Sequence, residues 1–578
     1  MIGGGMDRRD RGRVLLAEWA ATRPENVFTD DPYLRLALTR RIPADRLDRL
    51  TPALVQAGAD SAGPVDRAAA ELDRSEHVPR LEAWSAVGER AEQIRFHAAH
   101  HAVGRLVWRS GILSVLAEPG AVTAHTALTY LFAQNGEVPH LCSVACTAGL
   151  IKAIQRAGPE WMRREWLPRL LDEDYDRRWH GAQFLTEVQG GSDVGANACV
   201  ARPVEGEPGT WRLTGEKWFC SNVSADLAAV SARPVGAPEG TPGIGLFVVP
   251  WRLADGRPNG VFIRRLKDKL GTRTLPTAEV DLRDALAYAL GPPADGFRLL
   301  MGVIINTSRL AVATAAAGIM RRAWTEAWRY ARLREAFGRR LVDLPAIRRQ
   351  LAEIRALWAG GLSATLFVAG LEDRLTLAGV HAEDDPLFRA AVTVNKLVCS
   401  VDAGLAVHHA IEVLGGNGVI EDLSPIPRLY REVPVQESWE GPHNTLVAQF
   451  LRDAARAKMH EAVLALAQDT LLGVSAPAFA SARARGLAAV GAIRARFERL
   501  LSGDPGVAAL HARDVVGRLG RLLQVSLLLD DAAAADGHAR LGWLGAAAEL
   551  LLDRDLRPGY DAAEDSGYPD RIACLLEA

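Results

Sequence analysis

Hydrophobic positions divide this chain into stretches of different period. From the N-terminus to about residue 178, apolar residues recur every three to four positions, which predicts helices. "ERAEQIRFHAAHHAVGRLVWRSGILSVL" (Glu89 to Leu116) fits that spacing, and the small and acidic residues between Pro52 and Val78 suit a surface helix and its links. At about Gly181 the pattern changes to short runs of single alternation: "QFLTE", "WRLTGEKWFCS", "IGLFVVPW", "VFIRRL" and "TAEVDL". Gly, Pro, Asn and Asp separate these runs, as in a compact antiparallel β domain. "LGPPADGF" closes it, and the helical period returns from Gly296. Helices are expected over Phe297–Leu333, about Leu344–Glu372 and about Pro386–Leu414, with "GGNG" at 415–418 as a glycine stop. From Lys458 onward an alanine-rich, mostly helical stretch reads as a separate appendage. The expected order is an N-terminal α-helical domain (1–180), a middle antiparallel β-barrel (181–292), a C-terminal helical bundle (293–456) and a helical extension (457–578). The fold class is α+β and multidomain.

Composition narrows the function only by exclusion. With 578 residues, 48% hydrophobic and 24% charged, the chain is typical of a soluble globular protein. A net charge of −2 provides no general attraction to nucleic acid or anionic membrane. "MIGGGMDRRDRGR" lacks the apolar run of a signal peptide. The best membrane-span candidate, "AVLALAQDTLLGVSAPAFASA" from Ala462, contains Asp469 and reads better as a buried helix. The six cysteines form no CxxC and no zinc spacing, so scattered thiols and a cytoplasmic location are expected. His97, His100 and His101 lack a nearby carboxylate or thiol in sequence, and no metal site is expected.

Three segments carry candidate chemistry. "QFLTEVQGGSD" (Gln183 to Asp193) sets hydroxyls and glycine amides in a turn, where they can meet a flat heterocycle or a phosphate; an ordinary β-turn has the same pattern. "GEKWFCSN" (Gly215 to Asn222) puts Phe219 and Ser221 on one strand face and Trp218 on the other, as a cofactor-shielding strand or a core strand would. "ESWEGPHNT" (Glu437 to Thr445) holds Glu440 between Trp439 and Gly441, a setting suited to a carboxylate kept dry for proton chemistry.

Taken together, "TEVQGGSD", "GEKWFCSN", "REAFG" (Arg334 to Gly338), "EVLGGNG" (Glu412 to Gly418) and "WEG" (Trp439 to Gly441) resemble, in order and spacing, the motifs of acyl-CoA dehydrogenases. The resemblance covers roughly residues 85–456. "RLKDKLGTR", "LPAIRRQLAEI", "RLYREVPVQESWEG" and the long extension resemble the AidB-like, alkylation-response branch. Members of that branch are described as FAD-containing tetramers with weak dehydrogenase activity that bind DNA.

The resemblance implies an acyl-CoA dehydrogenase fold and FAD as cofactor. Gln183, Leu185, Thr186, Ser192, Phe219 and Ser221 stand where the family contacts flavin. Arg334 and Phe337 stand where it reaches FAD across a subunit interface. Glu412, Gly415, Gly416 and Asn444 match further cofactor positions, Glu412 replacing the usual Gln and pointing to a bond with a ribose or a backbone amide. Glu440 stands as the catalytic base; Ser308 occupies the position where other branches carry the acid. Ser192, Arg309, Trp439 and Gly441 match substrate contacts. Pro442-His443 departs from the family pattern, removing an amide donor and a hydroxyl; His443 is either a replacement donor or an exposed loop residue. The implied reaction is α,β-dehydrogenation of an acyl-CoA or other acyl thioester, Glu440 taking the α-proton and the flavin the hydride. The implied partners are an electron-transfer flavoprotein and further copies of the chain in a homotetramer (a dimer of dimers). The alternatives are an AidB-like DNA-binding or DNA-protecting flavoprotein and an acyl-CoA oxidase. From Lys458 onward, thirteen basic side chains face sixteen acidic ones, and the cluster Arg483, Arg485, Arg494, Arg496 and Arg499 is opposed in sequence only by Glu498, so DNA is not the favoured partner.

Overall fold

The computed structural model describes residues 8–577. Residues 1–7, which open the segment expected to lack an apolar leader, and Ala578 lie outside the described residues. Helices make up most of the first 170 residues, but two strands interrupt them: β1 (Arg80–Trp84) pairs antiparallel with β2 (Arg90–Arg95). The helical reading of "ERAEQIR" is therefore corrected. Gly88, at φ 78, turns the chain, and Leu81 and Ile94 pack onto the core of the β domain. The amide of Ile263 donates to Glu92 Oε1 at 2.9 Å, and Arg90 donates to the carbonyl of Val261. Helix begins only at Ala98, where the His97 ring accepts from the amide of Ala99.

The middle domain contains β3 (Gly181–Phe184), β4 (Val200–Pro203), β5 (Thr210–Ser221), β6 (Leu227–Pro234), β7 (Gly245–Pro250), β8 (Val261–Leu266) and β9 (Thr277–Ala289). Their order is β3-β5-β4-β6-β7-β9-β8, and the cross-pairings β3–β6 and β5–β9 wrap the sheet around its own core. The antiparallel expectation holds for most pairs, but β6 runs parallel to both β3 and β4. In β6 the six residues Leu227 to Ala232 are all buried, so no alternation announces that strand.

Three long helices form the bundle: Asn306–Leu333, Pro345–Leu377 and Pro386–Leu414. The Asp385 carboxylate caps the third by accepting from the amide of Phe388 at 2.7 Å, and Gly415, at φ 61, ends it. The segments Pro293–Leu333, Pro345–Leu377 and Pro386–Val419 are long and apolar enough to cross a membrane by length and composition; their most apolar windows are 83%, 94% and 61% buried inside the fold. The stretch singled out at Ala462 is broken in the middle: helix Met459–Gly473 ends within it and the next helix starts at Ala480.

The extension is no separate appendage, because its helices share one core with the bundle. Helix Pro505–Ala534 lies on the third long helix, where Arg521 and Asp402 form a buried ion pair at 2.6 Å. A Cβ added at Gly520 would come within 2.6 Å of Val398, so these two helices meet closely. Near the other end of that helix, the Tyr33 hydroxyl donates to the buried Asp531 at 2.7 Å.

Candidate active site

Glu440 lies in the turn between helices Ile426–Ser438 and His443–Ala457. Both Glu440 (φ 55) and Gly441 (φ 102) have left-handed backbones, and Pro442 caps the second helix. Two buried cations hold this turn from below. Arg309, on the first long helix, donates through Nε to the Glu440 carbonyl at 3.2 Å and through its other nitrogens to Gln449 (2.8 Å) and Thr393 (3.3 Å). Lys396, on the third, donates to the carbonyls of Glu437 and Gly441, each at 3.0 Å. Carbonyls on both sides of the Glu440 side chain are thus fixed while its carboxyl and its amide are left free. The Glu440 amide makes no hydrogen bond among the described residues. Arg309, expected to contact substrate, is instead buried, its guanidinium committed to the Glu440 carbonyl, Thr393 and Gln449.

Burial raises the Glu440 carboxyl to about 7, with Arg309 and Lys396 pulling the other way. Burial, and then Arg309, lowers the Lys396 amine to about 7, against the pull of Glu440 and Glu437. These groups face each other, so their protons form a coupled system. Nearby, hydrogen bonding to Cys142 and burial push the Cys146 thiol well up, and Glu440 adds to the effect. Turnover by an ionised base should therefore rise through a window centred on about pH 7. Lys396→Met removes a cation that favours the carboxylate, so its kcat/KM profile should move to higher pH; an unmoved or downward-shifted profile would exclude this coupling.

The β domain supplies the facing wall. Gln183 is buried on β3, 3.4 Å from the Ser308 hydroxyl on the first long helix. Leu185 and Thr186 follow, both half-buried, and the chain then turns back on itself, with reciprocal backbone bonds between Glu187 and Gly190. Only glycine fits at 191, where a Cβ would come 2.5 Å from Thr186 Oγ1. Ser192 ends the turn, its hydroxyl 3.1 Å from that of Thr445 on the helix after Glu440. Beneath the turn, fully buried Lys217 pairs with Glu187 at 2.7 Å, and Glu187 also accepts the amides of Ala198 (2.6 Å) and Cys199 (3.1 Å).

Simple alternation on β5 fails here. The β5–β9 register slips between Lys217 and Cys220, both of which are buried. Trp218 and Phe219 therefore both lie off the core, and the Lys267 amine sits 3.3 Å and 4.9 Å from their ring centres. Trp218 does not face away from Phe219 as expected. Phe219 is 51% exposed. The Ser221 hydroxyl lies 3.1 Å from that of Thr277, which accepts from Lys269 at 2.8 Å. Burial lowers Lys269 to about 8.

The remaining sites lie elsewhere: no hydrogen bond among the described residues joins them to the Gln183–Ser221 set. Arg334, half-buried with no acid within 4 Å among the described residues, precedes a small hairpin of Glu335–Ala336 with Arg339–Arg340. Phe337 is at its tip, 94% exposed at φ 54. Glu412 accepts from Gln350 at 2.6 Å and lies 3.5 Å from His409, so side chains hold it rather than the expected backbone amide. Gly415 and Gly416 border open space, with nothing within 4 Å of an added Cβ. Asn444 is exposed in the first turn of its helix, and Trp439 packs half-buried against the bundle core. His443 is neither an exposed loop residue nor a replacement donor. It is buried, with Ser400 Oγ at 3.0 Å from one ring nitrogen and Arg513 at 3.1 Å from the other, and burial first, then Lys396 and Arg513, lowers it to about 4.

The sequence reading missed Lys396, Lys217 and Lys269; a lysine in an apolar run, as in "AVTVNKLVCS", was the available signal. It also missed that Glu71 and His77 join His97, their ligand atoms all within 4.8 Å of one another. The His97 ring already caps a helix, and the His77 ring donates through Nδ1 to the Glu71 carbonyl at 2.7 Å. Taken as a donor set, the Gln183–Ser221 site suits a flat cofactor, with an exposed aromatic on β5 and hydroxyls at 186, 192 and 221, while the groups suited to phosphate, the open glycines and an arginine without an acid, lie apart from it.

Comparison with known proteins agrees with this geometry. Residues 182–285 match the acyl-CoA dehydrogenase middle domain, residues 294–454 the acyl-CoA dehydrogenase C-terminal domain, and residues 19–177 the adaptive response protein AidB N-terminal domain. The chain is 31% identical over 440 residues to acyl-CoA dehydrogenase family member 11 of Caenorhabditis elegans, covering 74% of this chain and 70% of that one. It is 34% identical over 398 residues to the putative acyl-CoA dehydrogenase AidB of Escherichia coli, covering 66% and 70%. The crystal structure of C. elegans ACDH-11 in complex with C11-CoA superimposes with a TM-score of 0.83 at 27% identity, covering 92% of this chain and 91% of that one. The chain belongs to the acyl-CoA dehydrogenase family of FAD-dependent oxidoreductases, with an AidB-type N-terminal domain.

Proposed function

We propose that this chain dehydrogenates acyl-CoA thioesters, with Glu440 removing the α-proton. The observation that carries the reading is a carboxyl held near neutrality by burial, on a loop fastened through its carbonyls so that the side chain and the Glu440 amide both remain free. That amide is the donor we assign to the thioester carbonyl, where it stabilises the negative charge that develops as the proton leaves. Gln183, Leu185, Thr186, Ser192, Phe219 and Ser221 would hold the flavin end of FAD, and Arg334, Phe337, Glu412, Gly415, Gly416 and Asn444 its phosphate and adenosine end. When bound, FAD supplies the hydride acceptor. Trp439 and Gly441 border the substrate. A panel of acyl-CoAs of graded length should bleach the flavin absorbance for at least one chain length; a panel that bleaches nothing would overturn the reading.

We further propose that reduced enzyme passes electrons to an electron-transfer flavoprotein and that the chain works in the cytoplasm as a homotetramer. Six free thiols suit a reducing compartment. Phe337, almost wholly exposed on a hairpin tip, is the contact we assign to a neighbouring copy. Phe337→Asp should lower both oligomer size by light scattering and FAD retention; unchanged values in both would remove that role. DNA binding is not favoured. Three of the five arginines of the extension's cluster are paired across helices: Arg485 with Glu549 (3.3 Å) and Asp553 (3.2 Å), Arg494 with Glu461 (3.1 Å), Arg496 with Asp514 (2.8 Å). Duplex DNA should show no salt-sensitive gel shift at micromolar protein; a salt-sensitive shift would restore the DNA reading.

A further inference from the structure

A second site lies where the N-terminal helices, the first two bundle helices and the extension converge. They enclose a cavity of about 620 Å³, a size typical of small-molecule sites. Its lining includes six arginines and one aspartate, Asp30. Arg321 and Arg355 are its buried arginines, Arg329 is half-buried, and Arg332, Arg340 and Arg540 are exposed. Asp30 meets Arg321 and Arg329, each at 3.2 Å, and Arg340 reaches Asp343 at 3.1 Å. Neither Arg332 nor Arg540 has an acid within 4 Å among the described residues.

At the buried end Arg321 is paired, with Asp30 and, at 3.5 Å, with Asp31, whereas Arg355 has no acid within 4 Å among the described residues. Among the described residues, Arg355 meets only the carbonyls of Leu575 and Glu577, and its Nε is buried without a hydrogen-bond partner. Burial and the neighbouring Arg321 lower its guanidinium to about 9, so the fold bears a cost for keeping this charge inside. Tryptophan faces hold the buried guanidiniums in place: Arg355 lies 4.0 Å from the Trp543 ring centre and Arg321 lies 4.6 Å from that of Trp358. Trp358 and Trp543 stack at 5.6 Å. Along the first long helix, Arg321 is twelve residues beyond Arg309, about 18 Å at the helical rise; Glu440, Gln183, Ser192 and Ser221 do not line this cavity, and its rim residues Leu333 and Arg340 border the segment that carries Arg334 and Phe337.

We propose that this cavity is a binding site for a small polyphosphate-bearing ligand, separate from the FAD and acyl-CoA sites. Guanidinium forks suit phosphate oxygens, and arginines at both the buried and the exposed end suit two or more phosphate groups rather than one. The test uses FAD-loaded full-length enzyme saturated with a non-oxidisable CoA thioester, so that both catalytic-site ligands are in place. Sodium tripolyphosphate is then titrated in phosphate-free buffer, followed by calorimetry and tryptophan emission. One saturable site per chain is expected at micromolar concentration. Arg332→Ala/Arg540→Ala, at exposed positions without acid partners, should weaken binding at least tenfold with flavin content and melting temperature unchanged. Glu440→Gln should leave it unaltered. No saturation below about 1 mM, or equal binding by the double arginine variant, would overturn the proposal.

Discussion

Glu440→Gln should keep a yellow, FAD-bound protein and lose roughly 10²- to 10⁴-fold in turnover, the usual value of a positioned general base. Arg309 and Lys396 grip backbone carbonyls, not the carboxyl, so the amide side chain leaves the loop fastened. The loss should thus fall on kcat for flavin reduction, with flavin content and CoA binding preserved. Stability gives an independent reading. The carboxyl titrates near 7 in the fold against 4.5 when unperturbed, so its stabilising contribution is full below pH 4.5 and is lost as pH rises through about 7. Glutamine carries no such penalty, and at pH 8 the variant should melt no lower than wild type. Flavin bleaching within about threefold of wild type, against the 10²-fold floor, would remove Glu440 from the chemistry.

Lys217→Met should be the most destabilising single change on the flavin side. Burial works against the Glu187 carboxylate, but the Lys217 charge and hydrogen bond, with the Ala198 amide and Gln189, hold it below the ordinary carboxylate range. Removing the lysine strands that charge, a loss of about 3–5 kcal/mol for a broken buried pair. Adding Glu187→Gln should recover much of it, because the amide oxygen can still accept from Ala198 or Cys199. Urea midpoints of the two variants measure this, and flavin content should fall with the first because Glu187 closes the turn carrying Thr186 and Ser192. A single variant within 1 kcal/mol of wild type would show the pair to be dispensable.

Helix period, strand alternation and glycine stops were legible over most of the chain, and the bundle helices start and stop within a few residues of where Pro345, Pro386 and Gly415 place them. What remained hidden depended on partners distant in sequence. The β1–β2 hairpin reads as helix until the β domain offers Leu81 and Ile94 a surface to cover. The slip at Trp218–Phe219 is a register property of two strands, and one strand does not reveal it. Arg309 matched a substrate-contact motif, yet its neighbours Thr393, Glu440 and Gln449 lie 84, 131 and 140 residues away and turn it inward. His443 looked like a loop residue because Ser400 and Arg513, which enclose it, come from two other helices.

The hairpin at residues 80–95 also sets an order of events during synthesis. Its anchoring contacts, Arg90 with Val261 and Glu92 with Ile263, each join residues 171 apart. At roughly 5–20 residues per second, about ten to thirty seconds of translation separate the emergence of the hairpin from that of its partner strand. For that interval the N-terminal helices must wait with an unsatisfied edge and two uncovered apolar side chains. A fragment ending before Val261 should therefore be aggregation-prone, and the N-terminal helical region and the β domain should mature as one cooperative unit.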